Sequence, residues 1–107
     1  LRLEPAALPA RHNLAMLLIR QGRVDEARSE LSTLVSSNDL FAPAHYALGM
    51  IDGARGDWAG AVRALTRCLQ LEPEYPGALR DLTHAYVEAG LANLARVMLA
   101  QASEGPG

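Results

Sequence analysis

Gly22-Arg23-Val24-Asp25-Glu26-Ala27, Gly56-Asp57-Trp58-Ala59-Gly60-Ala61 and Gly90-Leu91-Ala92-Asn93-Leu94-Ala95 are one turn written three times. The glycines stand 34 residues apart, and Ala27, Ala61 and Ala95 keep the same interval. A fixed period of this size is the mark of a stacked structural repeat, in which each unit buries its apolar face only against its neighbours. At each Gly a helix can end in a left-handed residue without a Cβ penalty, and the small Ala behind it lets the following helix fold back closely. The unit expected from this pattern is a helical hairpin.

Working outward from the turns, Pro9 opens the first helix, which should run to about Gln21 with Leu14, Ala15, Leu17 and Leu18 on its inward face. The second helix is expected from about Val24 to Val35. Asp25 and Glu26 favour its positive N-terminus, Ala27, Leu31 and Leu34 form its inward stripe, and Ser36-Ser37-Asn38-Asp39 break it. The plan recurs with Pro43 near the start of the next helix and Leu48, Gly49 and Ile51 facing inward. After Gly56, Asp57 is an N-cap for a helix carrying Ala61, Leu65, Cys68 and Leu69 that stops before Pro73. The third unit starts at Pro76, presents Leu79, Leu82, Thr83 and Tyr86, turns at Gly90 and closes with Ala95, Leu99 and Ala102. Leu1-Arg2-Leu3-Glu4-Pro5 matches Leu69-Gln70-Leu71-Glu72-Pro73 at twice the period, which reads as the tail of an earlier unit. The domain reading is thus a single domain over 1–107, with a tail of a preceding repeat at 1–7 and repeats at 8–41, 42–75 and 76–107. The fold class is all-α, a right-handed superhelical stack of three helix-turn-helix hairpins with six main helices.

These positions resemble the tetratricopeptide repeat family. The family's large-then-small pair in the first helix appears as Leu14-Ala15, Leu48-Gly49 and Leu82-Thr83. Its later aromatic or large position is met by Leu18 and Tyr86 but broken by Asp52. Ala27, Ala61 and Ala95, with Leu31, Leu65 and Leu99, fill the next positions, and Pro5 and Pro73 match the closing proline that Asp39 replaces. Either the second hairpin is rotated so that Asp52 reaches water, or Asp52 is partly buried and paired, with Arg55, three residues on, as the nearest partner.

The resemblance implies a concave groove, lined by the first helices of the hairpins, that binds a peptide segment of a protein partner. The positions it carries over are His12, Asn13, Met16, Ile19 and Arg20, then Tyr46, Ala47, Met50, Gly53 and Ala54, then Arg80, Asp81, His84, Val87 and Glu88. Methionine adapts to irregular apolar partners and tyrosine adds area with a polar tip, so one or two apolar anchors would suit this surface. The Lys/Asn clamp that some members use for acidic C-terminal tails is not reproduced, because His12, Met16 and Met50 occupy its places. The other readings are an assembly or spacer segment of a larger multidomain bacterial protein, and self-association. The equivalents of the polar stripe Glu26, Ser29, Glu30 and Thr33 become Leu94, Val97, Met98 and Gln101 in the last repeat. Leu94, Val97 and Met98 are therefore a candidate dimer or partner patch.

Composition sets bounds on function. The 107 residues hold 12 acidic and 10 basic side chains, a net charge of −2, without the basic stripe that nucleic acid requires. The longest apolar run, Leu14 to Ile19, is too short to span a membrane. Every basic residue is Arg, which suggests a GC-rich bacterial genome. The chain opens on Leu1 and not Met, so the natural N-terminus is expected upstream, and cytoplasmic and periplasmic settings both stay open. A single cysteine, Cys68, excludes an internal disulfide and reads as a small buried apolar residue. His12 and Met16 could offer nitrogen and sulfur to a soft metal, but no Cys or carboxylate completes a set. Trp58, behind its N-cap, reads as packing. With no phosphate loop, nucleophile–base pair or HExxH motif, neither an enzyme nor a cofactor or metal site is expected.

Overall fold

The structure is a computed structural model that describes residues 7–90 and 99–101. Among the described residues, five helices follow in order: α1 (Leu8–Arg20), α2 (Val24–Ser37), α3 (Ala42–Ala54), α4 (Trp58–Leu71) and α5 (Ala78–Glu88). No strand occurs among the described residues. The result is a solenoid of helical hairpins, α1–α2 and α3–α4, with α5 opening a third. Most of the expected sixth helix lies outside the described residues. Each helix packs on its neighbour in the chain and α3 also reaches α5.

The turns do what the period implies. Gly22, Gly56 and Gly90 all have positive φ, at 78°, 81° and 85°. In the first turn the Arg23 N–H donates to the Leu18 carbonyl at 2.8 Å and the Gly22 N–H to the Ile19 carbonyl at 3.0 Å. The second turn repeats both bonds one period later, Asp57 to Asp52 at 2.8 Å and Gly56 to Gly53 at 3.0 Å. Carbonyls that a helix end would leave unpaired are thereby satisfied by the left-handed residue and the one after it. Asp57 caps α4 as expected, its carboxylate accepting the Gly60 N–H at 2.9 Å.

Some boundaries differ from the sequence expectation. The helix α2 keeps Ser36 and Ser37, because Leu34 and Val35 still pack on the core and carry the last turn with them. The third repeat's helix starts at Ala78 and not at Pro76. Gly77 is left-handed at φ 79° and forms the N-cap, a conformation that keeps Tyr75 and Pro76 in the linker.

The core runs along the hairpin seam. Ala15, Ala27, Leu31, Leu34, Ala44, Ala61, Leu65, Cys68 and Ala78 are all sealed from solvent. Small residues let the helices approach: a Cβ on Gly49 would stand 2.7 Å from Leu65 Cγ, so α3 and α4 pack at a distance that only Gly allows there. Burial pushes the Cys68 thiol up to about 11, with Glu72 adding to it, so it stays protonated and acts as a small core residue. Ala61 is similarly buried between Leu65, Leu82 and Ala85. Ala61→Leu is expected to destabilise by roughly 1–3 kcal/mol through overpacking. A thermal melt would check this, and an unchanged midpoint would show that the site tolerates the added volume.

One part of the inward face is corrected. Ala15 and Leu18 are buried, but Leu14 and Leu17 are about half exposed. They lie on the side of α1 away from α2, where no described helix covers them.

Candidate functional site: a groove across the first helices

The groove is made by α1, α3 and α5, with Met50 at its centre. On one side of Met50 a cavity of about 440 Å³ is lined by His12, Met16 and Ile19 from α1 and by Tyr46, Ala47 and Met50 from α3. Val24, Pro43, Ile51, Ala54 and Tyr75 complete its walls. On the other side a cavity of about 240 Å³ lies between Met50 and Gly53 of α3 and His84 and Ala85 of α5, with Trp58 and Leu65 beneath. Met50 is exposed and belongs to both, so it forms the ridge between two largely apolar depressions. A more open hollow of about 980 Å³ follows the Leu71–Pro76 linker and shares Tyr46 with the first.

The polar groups of the groove are mostly engaged within the protein. Tyr46 donates its hydroxyl to Asp81 Oδ2 and sets its ring against Tyr75, centroids 4.9 Å apart. Burial, reinforced by the Asp81 carboxylate, pushes the Tyr46 phenol up to about 12, so it remains a donor. The polar tip that the sequence offers to a ligand is therefore spent on joining α3 to α5. His12 packs edge-on against Phe41 at 5.8 Å, and burial lowers its pKa despite an opposing hydrogen bond with the Pro43 backbone. Its ring is neutral at pH 7, which leaves the first cavity without a formal charge. Trp58 meets His84 edge-on at 5.4 Å.

Of the sequence-predicted groove residues, His12, Met16, Ile19, Tyr46 and Met50 come together in the first cavity and Met50 and His84 in the second. Asn13, Arg20, Arg80 and Val87 are exposed on the same helices but line neither cavity. Arg80 instead lies 3.6 Å from Asp81. Leu94, Val97 and Met98, the candidate dimer or partner patch, lie outside the described residues. Trp58 does pack, as expected, but its ring is also a wall of the second cavity. The signal was present in the register: Gly53 stands where the sister helices carry Ile19 and Val87, and a Cβ there would meet Trp58 Cζ3 at 3.1 Å. The ring fills the space that the missing side chain leaves.

Asp52 is also resolved, and not with Arg55. Arg28 of the preceding hairpin donates to it through Nε at 2.8 Å and Nη2 at 3.4 Å, while Arg55 pairs with Asp25 at 2.7 Å. As a C-cap residue Arg55 leaves the helix on its solvent side, whereas Asp52 points inward at α2. Both ion pairs link one hairpin to the next. Among the described residues no cluster of three or more His, Cys, Asp or Glu side chains could hold a metal ion, and no helix is long and apolar enough to cross a membrane.

A stack of helical hairpins with cavities along its first helices is the architecture of a helical-repeat protein. The chain belongs to the tetratricopeptide repeat family, whose model matches residues 1–51 and 53–105. It is also similar to the peroxisomal targeting signal receptor of Yarrowia lipolytica, 35% identical over 78 residues. That match takes in 73% of this chain and 13% of the relative, so the chain spans a small part of the relative's length. The family and the receptor relative together support a protein-interaction scaffold.

Proposed function

We propose that the chain is a non-enzymatic scaffold that binds a peptide segment of a partner protein along the groove of α1, α3 and α5. The observation that carries this reading is the pair of apolar cavities on either side of Met50, in which Asp81 supplies the formal charge and Tyr46 already holds it. A ligand suited to such a surface places one apolar side chain in each depression and needs no counter-charge for them. The neutral His12 and the methionines exclude an acidic-tail clamp at this point, because a carboxylate would lose its hydration there without gaining a cation.

The single tryptophan is a built-in reporter, since Trp58 lines the second cavity. Peptides selected from a displayed random library are expected to carry two apolar residues and to shift Trp58 emission on binding. Met50→Glu should weaken them by roughly 30-fold or more, the scale of a central hot-spot residue. Ser29→Glu on the exposed side of α2 should leave affinity unchanged. Selected peptides that bind Met50→Glu as well as the original chain, with amide shifts confined to α2, would overturn the groove reading.

A further inference from the structure

The open hollow along the 71–76 linker differs from the two groove cavities in carrying unspent charge. Glu72 and Glu74 stand among its walls beside the rings of Tyr46 and Tyr75. Both glutamates are exposed, and neither forms an ion pair among the described residues. Other acidic side chains are engaged: Asp25, Glu26, Glu30, Asp39 and Asp52 each lie against an arginine, and Asp57 caps α4. Asp81 is held by Tyr46 and Arg80, and Glu88 lines neither the hollow nor a groove cavity. Among the described residues no basic side chain lines the hollow, so its formal charges are both negative.

The hollow is continuous with the groove. Tyr46 and Tyr75 also line the cavity of His12 and Met16, so the two spaces share a wall of two rings 4.9 Å apart. Burial pushes the Tyr75 phenol above its ordinary value, with Cys68 and then Glu72 adding to it, so the Glu72 charge is felt at the ring. A cation set against that wall gains the ring faces and the carboxylates while its open side stays hydrated. In the neutral cavity next to it the same cation would lose hydration and gain no counter-charge. An extended chain advances about 3.4 Å per residue, so neighbouring side chains of one segment can reach both sides of the ring wall.

Given the groove reading, on which this rests, we infer that the partner segment carries an arginine or lysine beside its apolar anchor. The anchor enters the cavity of His12 and Met16, and the cation lies in the hollow against Glu72, Glu74 and the tyrosine rings.

The test uses peptides selected on the 107-residue chain from a displayed random library. They are expected to be enriched in Arg or Lys within about two residues of an apolar residue, the reach of an extended segment. E72Q together with E74Q should weaken such a peptide about fivefold at low salt, the combined scale of exposed ion pairs and one cation–ring contact, and the loss should vanish at about 1 M salt. Replacing the peptide's cation with norleucine should cost the same factor against the original chain and nothing against E72Q/E74Q. D25N with E26Q removes equal charge from α2 and should leave affinity unchanged, while E72K with E74K should turn the selection toward Asp and Glu. Peptides that lose affinity with Met50→Glu yet show no excess of basic residues and bind E72Q/E74Q unchanged would overturn the inference and leave the groove reading standing. Dependence on Glu72 and Glu74 without dependence on Met50 would overturn both. An equal loss from D25N/E26Q would overturn the inference by assigning the effect to net charge.

Discussion

Arg28→Ala is expected to destabilise the fold by about 3 kcal/mol, the scale seen when one partner of a buried ion pair is removed. Asp52 is 5% exposed and has Arg28 as its guanidinium partner, so the truncation would strand a carboxylate between two hairpins. Part of the loss is softened because Arg28 is itself more than a third exposed and water can enter where it stood. The informative comparison is the double substitution. Arg28 stands in register with Val62 and Arg96, and Asp52 with Leu18 and Tyr86, so Arg28→Val with Asp52→Leu places at each position an apolar residue that a sister repeat carries. The double variant is expected to be close to the original in stability, since a buried pair can often be exchanged for packed apolar groups without loss. Urea unfolding of the two single variants and the double variant measures the coupling. If Arg28→Ala melts like the original chain, water replaces the guanidinium and the pair contributes nothing.

That pair also shows where the sequence stops being readable. The hairpins, their glycine turns and the Asp57 cap follow from a period and from local backbone chemistry, and both are properties of consecutive residues. Ala27, Leu31 and Leu34 were legible as a buried stripe for the same reason: the face of an isolated amphipathic helix is set by its own spacing. Asp52 was visible as an exception but its partner was not. Arg55 is nearer in sequence, and only the stacking of one hairpin on the next brings Arg28 beneath it. The register alone does not pair them, because Arg28 is matched by Arg96 two repeats further on and so is no departure from the pattern. Leu14 and Leu17 failed differently. Their periodicity marked them as inward, but periodicity does not say whether a neighbour is there to bury a face.

The groove was legible as a set of helix positions and not as a surface. His12, Met16, Tyr46, Met50 and His84 follow from placing the first helices side by side. The walls of the two cavities do not, because Trp58 and Tyr75, which enter from a second helix and a linker, each close one of them. Nor does the fate of the Tyr46 hydroxyl, whose acceptor is 35 residues away. An apparent hydrogen-bonding site for a peptide is instead a clasp between α3 and α5, and it leaves the apolar walls as the available chemistry.

Those walls rest on Leu65, and Leu65→Ala is expected to destabilise by about 3 kcal/mol, the usual cost of a leucine truncated in a sealed core. Leu65 is 1% exposed, packs with Ala61, Leu82 and Ala85, and lies against the Gly49 backbone, so it joins α3, α4 and α5 at one point. Its loss would extend the cavity between Met50 and Trp58 downward, since Leu65 is part of that cavity's floor. Gly49→Ala alone should also destabilise, because its new methyl would stand 2.7 Å from Leu65 Cγ and 3.0 Å from Cδ2. Helix propensity works in the opposite direction, favouring Ala over Gly by about 1 kcal/mol in a helix interior, and offsets part of that clash. In the double variant the methyl added by Gly49→Ala occupies space that the leucine side chain has vacated, and the clash disappears while the propensity gain remains. The two changes together are therefore expected to cost less than Leu65→Ala alone, a coupling of roughly 1–2 kcal/mol that unfolding of all three variants would measure. Simple additivity would mean that α3 and α4 can separate by a few tenths of an ångström without penalty, and that the close approach at Gly49 is not what sets the depth of the groove.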